Sequence, residues 1–113
     1  TYAIGGHYPS PIICDGKQKR FLEGSGFAVG IYEKAEFQSY VMELPEDFSL
    51  LICSDGIMEK MNAKSMSEQE TILLNKVSLD MTPSSLMEYF DIDPEKFYPD
   101  DISIFVIKKK SSL

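Results

Sequence analysis

Two stretches of this chain, Leu50-Leu51-Ile52-Cys53 and Ile102 to Ile107, are apolar at nearly every position, and no other feature narrows the possible folds so far. A run that is apolar on both faces must be covered on both sides, so each reads as a central strand of a sheet. Each is also bounded by residues that stop a strand. Pro45 and a turn at Glu46-Asp47 precede the first run, Ser54-Asp55-Gly56 follows it, and Pro99-Asp100-Asp101 precedes the second. The 113 residues suffice for one small domain. An apolar fraction of 43% supports a core and excludes a disordered tail or a disulfide-dense mini-protein.

The remaining elements follow from punctuation and period. Tyr2-Ala3-Ile4 reads as a short strand running into Gly5-Gly6-His7. Pro9 and Pro11 exclude a helix there. Pro11-Ile12-Ile13-Cys14 is extended, and Asp15-Gly16 predicts a two-residue type I′ turn with φ > 0 at both positions. Gln18 to Leu22 is then the return strand. Gly24, Gly26 and Gly30 mark a loop anchored by Phe27, Val29 and Ile31. Phe37 to Leu44, rich in strand formers, is a further strand.

Beyond residue 56 the period changes. Ser67-Glu68-Gln69-Glu70 fits a capping box ahead of a helical stripe of Ile72, Leu73 and Val77. Thr82-Pro83 opens a second helix with Leu86, Met87, Tyr89 and Phe90 on its apolar face. Asp91 to Pro99 is a polar loop. Strands, then two helices, then one returning strand predict an α+β fold, with helices covering one face of a mainly antiparallel sheet.

Charge bounds the partners. Eleven basic residues against 18 acidic ones leave a net charge of −7. That weighs against nucleic acid, whose binding rests on cations neutralising phosphates, and favours a cationic ligand such as a divalent metal. Lys108-Lys109-Lys110 with Ser111-Ser112-Leu113 reads as a solvated tail. No apolar run approaches the roughly 18 residues of a membrane span. Cys14 and Cys53 lie in apolar runs without C-x-x-C spacing, which fits buried reduced thiols in a cytoplasmic protein. The chain begins at Thr1 rather than Met, and so reads as a fragment, an excised piece or a processed product.

Asp55 and Asp100 are the candidate site residues, each at the end of an apolar run. Two such strands side by side would bring both carboxylates together as hard oxygen ligands for magnesium or manganese. Gly56 would let the backbone turn sharply beside the ion. Taken alone, Asp55-Gly56 is an ordinary turn and Asp100-Asp101 an ordinary loop. His7, alone beside glycines, reads as a hydrogen-bonded turn residue, and Ser54 has no base that would make it a nucleophile.

The order of four segments adds to this. Gly5 to Pro11 (GGHYPSP) resembles the "AGHxP" segment of the SpoIIE/RsbU-type branch of the PPM (type 2C) serine/threonine phosphatases. Phe27 to Ile31 (FAVGI) is similar to its "xPLGI" segment, and Leu44 to Glu59 (LPEDFSLLICSDGIME) to "LxxGDxLLLYTDGxxE". Pro99 to Ile107 (PDDISIFVI) is similar to the closing "DDxTxxVx" strand. The resemblance implies part of an α-β-β-α sandwich with a two-metal manganese or magnesium centre, where a metal-bridged water attacks a phosphoserine or phosphothreonine. It implies that Asp55 and Asp100 are metal ligands, that Asp101 supports them, and that His7 lies where a related branch places a third, weaker metal site.

The family's "GDxxGHG" segment, which carries its first metal ligands, has no match in these residues. Residues 1–113 are therefore expected to be a single segment, the C-terminal half of the domain, inactive alone and exposing sheet edges to a second copy or to the other half. The family implies phosphorylated protein substrates such as anti-sigma-factor antagonists, and an upstream sensor or receiver domain. The alternatives are a phosphatase-like adaptor without catalysis and a generic α+β ligand-binding module.

Overall fold

The computed structural model describes residues 1–24 and 28–111. Gly26 and Phe27 of the expected loop, and Ser112-Leu113 of the expected tail, lie outside them. Strands β1 (Ile12–Cys14), β2 (Lys19–Phe21), β3 (Phe48–Cys53) and β4 (Ile104–Lys109) form one sheet in the order β2-β1-β3-β4. All three pairings are antiparallel. A 3-10 helix (Asp55–Lys60) follows β3 directly, and helices α1 (Met66–Lys76) and α2 (Pro83–Tyr89) separate it from β4. The α+β architecture is as expected. No helix among the described residues is long and apolar enough to cross a membrane.

Register sorts the sheet's residues onto two faces. Ile12 pairs with Leu51, and Leu51 with Val106. With Cys14, Cys53 and Ile104 they line the face that packs against Leu73 of α1, Val77 just past its C-terminus and Leu86 of α2. Leu73 in the helix and Val77 at its C-cap are almost wholly buried, which anchors the helix to the sheet rather than leaving it to its own propensity. Ser49, on the same face, is fully buried, and its hydroxyl donates to the Ser78 carbonyl at 2.7 Å. On the opposite face Ile13 and Phe48 form a smaller cluster with Leu22, joined by Tyr2, Met42 and Leu50. There Phe105 remains 59% and Ile107 39% exposed.

Several elements differ from the sequence expectation, each for a local reason. The hairpin turn carries positive φ at Gly16 but not at Asp15, so its central pair is Gly16-Lys17. Asp15 flanks it instead. Its backbone N–H donates to Gln18, and its carboxylate accepts from the Lys17 and Gln18 amides at 2.8 and 2.7 Å. Those bonds hold the Asp15 carboxyl below its ordinary range. Tyr2 to Ile4 and Phe37 to Leu44 are not strands. They meet in one bridge, Tyr2 to Tyr40, whose rings stack 5.3 Å apart, and strand formers without a longer partner make no ladder. Val29 and Ile31 are exposed rather than anchoring.

Helix α1 is capped by Ser65, which accepts from the Glu68 amide, and not by Ser67. The chain holds two overlapping Ser-x-x-Glu signals, and the earlier one starts the helix while Glu70 accepts a bond from the Tyr8 hydroxyl. Desolvation, then Glu70, pushes the Tyr8 phenol up. For α2 the expected start holds, with Thr82 and Ser85 capping each other reciprocally and Pro83 at the first position. Strand β4 begins two residues later than expected and takes in Lys108 and Lys109, which pair with Ser49 and Phe48. Among the described residues it is an edge strand rather than a central one. Lys110, beyond it, forms an exposed ion pair with Asp80 at 2.8 Å.

Truncating Leu73 to Ala should cost about 2–5 kcal/mol through the cavity it leaves. Removing the Thr82 cap with Ala should cost about 1 kcal/mol. Urea denaturation of the intact protein checks both, and equal costs would contradict the burial of Leu73. Burial also pushes the Cys53 thiol up from 9.0 to about 12. The folded thiol therefore keeps its proton where the unfolded one loses it. Stability from this group is full below pH 9 and declines as pH rises toward 12. Between pH 8.5 and 10.5 the urea midpoint of the wild type should fall more steeply than that of Cys53→Ala.

Candidate functional site

The carboxyl end of β3 is where the candidate residues meet. After Cys53 the ladder gives way to side-chain bonds. The Ser54 amide donates to the Ser103 carbonyl at 2.9 Å. The Ser54 hydroxyl donates to the Asp101 carbonyl at 3.1 Å and accepts from the Ser103 amide at 2.8 Å. One small side chain thus clips the approach to β4 onto the exit from β3. In the sequence Ser54 stands out only as a nucleophile without a base. Its part as a clip appears once the register of the two strands is known.

Asp55 opens the 3-10 helix and is exposed, and its carboxylate makes no hydrogen bond or ion pair among the described residues. Gly56 is buried, and a Cβ there would lie 2.2 Å from the Asp101 carbonyl oxygen. The position is held to glycine by this close approach of backbone, and not by the sharp turn expected from the sequence. Asp100 is exposed, and one of its oxygens accepts from the Asp101 amide at 2.8 Å. Asp101 is fixed through its backbone, while its exposed carboxylate makes no bond among the described residues. The β3–β4 pairing therefore brings the segments bearing Asp55, Asp100 and Asp101 side by side.

His7 reaches the same strand end. Its Nε2 lies 2.9 Å from the Cys53 carbonyl, and since a carbonyl only accepts, Nε2 carries the proton. This is the hydrogen-bonded role read for a lone histidine, and it leaves Nδ1 uncommitted. Beside Asp100 and Asp101 runs an open groove of about 330 Å³, lined on its apolar side by Ile92, Phe97, Tyr98 and Ile102.

The fit to a metal follows from donor chemistry. Among the described residues no group of three or more His, Cys, Asp or Glu side chains is placed to hold an ion. The oxygens present are nonetheless hard, exposed and largely uncommitted. Magnesium-type ions are commonly held by only one or two carboxylates, with water and substrate phosphate completing the shell. Asp55 and Asp100 suit that mode and would supply two of its oxygen ligands.

No curated protein matches the chain at a significant level. The model of one protein family, Stage II sporulation protein E (SpoIIE), matches residues 1–110. That span includes all four motif segments, the Ser54 clip and every candidate ligand. By that match over nearly its whole length, the chain belongs to the SpoIIE family.

Proposed function

We propose that this chain is the C-terminal part of a PPM-type, metal-dependent phosphatase domain acting on phosphoserine or phosphothreonine in proteins. Membership of the SpoIIE family points to the phosphatase class. The observation that carries the finer reading is the pairing of β3 with β4, which places Asp55 and Asp100 on adjacent segments with their carboxylates exposed.

In this reading Asp55 and Asp100 are ligands to manganese or magnesium. Asp101 supports Asp100 through its amide, and Gly56 keeps the two segments in contact. The ion, when bound, lowers the pKa of a coordinated water and offsets charge on the phosphoryl oxygens. The groove beside Asp100 is open to a polypeptide substrate. The family suggests an anti-sigma-factor antagonist as that substrate, a cytoplasmic setting and an upstream sensor or receiver domain. A second reading, a phosphatase-like adaptor that binds a regulatory protein without catalysis, draws on the lack of a three-ligand group among the described residues.

The two readings part in the intact protein. Manganese-dependent hydrolysis of p-nitrophenyl phosphate should be abolished by EDTA and restored by manganese. Asp55→Asn and Asp100→Asn should each lower it by about 100-fold or more, since even residues that only support metal ligands are worth about 10–100-fold. Loss of activity with unchanged thermal stability supports the phosphatase. A folded wild type without turnover in manganese or magnesium supports the adaptor. Residues 1–113 prepared alone should show no turnover, because they lack the remaining ligands; metal-dependent hydrolysis by that piece would contradict the assignment.

A further inference from the structure

We infer that Lys60 and Tyr98 form a positioning contact that sets where Asp100 stands relative to Asp55, an inference that rests on the metal reading above. Asp55 opens the 3-10 helix and Lys60 closes it. Asp100 lies two residues beyond Tyr98. Segments 54–60 and 98–103 are joined at three places. At one end the Ser54 hydroxyl bridges Asp101 and Ser103. In the middle Gly56 lies against the Asp101 carbonyl. At the other end the Lys60 ammonium stands 5.1 Å from the centroid of the Tyr98 ring, within cation–π range.

Tyr98 is itself fixed from behind. Its hydroxyl accepts from the Asp93 amide at 2.8 Å, and Asp93 in turn accepts from the Glu95 amide at 2.9 Å and the Lys96 amide at 3.0 Å. The loop before β4 thus folds around Asp93 and leans on the 3-10 helix through one ring. Asp55 and Asp100 both lie between the Ser54 pin and the Lys60–Tyr98 pin. Releasing the second pin frees the loop to pivot about the first, and Asp100 moves with it.

The sign of the effect separates positioning from simple charge. A lysine beside a cation site repels the cation, so if Lys60 acted only as a charge, its removal would tighten metal binding. As a positioning residue, its removal weakens binding. The size is bounded by the contact itself, so the expected loss is about two- to five-fold in affinity.

The test is a manganese titration of the intact protein, with free manganese followed by electron paramagnetic resonance. Lys60→Met should raise the dissociation constant about two- to five-fold, and Lys60→Arg, which keeps a cation over the ring, should restore it. Tyr98→Leu should weaken binding at least as much as Lys60→Met. The double variant should be no weaker than Tyr98→Leu alone, because both changes remove one contact. Unchanged or tighter binding in Lys60→Met, with Asp100→Asn still weakened, would overturn the inference and leave the metal reading standing. Manganese binding indifferent to both Asp55→Asn and Asp100→Asn would overturn the metal reading and the inference with it.

Discussion

The register between β3 and β4 is the constraint on which the rest of this structure depends. Cys53 faces Ile104 and Leu51 faces Val106, so one alternating set of side chains meets the helices. A slip of β4 by one residue against β3 would turn Ile104 and Val106 away from α1 and α2 and bring Phe105 and Ile107 inward. The same slip would part Ser54 from Ser103 and Gly56 from Asp101. Burial at one end of the strand pair and site geometry at the other are therefore fixed by one choice.

The two faces of the sheet are unequal in a way that follows from the same alternation. One is sealed by helices whose anchoring residues are nearly inaccessible. The other holds a small cluster around Ile13 and Phe48 and leaves Phe105 and Ile107 open. At the far end of β4, Lys108 and Lys109 sit on the ladder itself, and lysines on an exposed edge discourage pairing with another strand. The apolar edge residues that remain, nearer the site, have no such guard.

How much of this was legible in the sequence depends on whether the determining contact was local. The Thr82-Pro83 start, the β1–β2 hairpin and the apolar run of β3 could be read because each rests on neighbours in sequence. Ser67 has the signature of a cap where Ser65 serves, since two equal signals overlap and only the docking of α1 decides between them. Phe37 to Leu44 has the composition of a strand, but composition does not supply a partner. Asp55 and Asp100 were found because each borders an apolar run and because the motif order matched a known family. Nothing in the sequence marked Ser54 as a clip or joined Lys60 to Tyr98, contacts between residues 47, 49 and 38 positions apart.

Why such contacts are needed follows from the electrostatics of the strand end. Asp55, Asp100 and Asp101 carry like charges on adjoining segments of a chain with net charge −7. Without a cation between them, their repulsion favours separation. Among the described residues neither Asp55 nor Asp101 is restrained by an ion pair; the salt bridge found there lies at the other end of β4, between Lys110 and Asp80. A carboxylate paired to a lysine would be well placed but already neutralised, and so a poorer ligand. The chain instead holds the backbones that carry these aspartates, through a serine hydroxyl, a glycine with no side chain and one aromatic ring. Restraint applied to the backbone keeps the segments adjacent while leaving the charge of their carboxylates available, and the strand pairing behind them resists the repulsion between them.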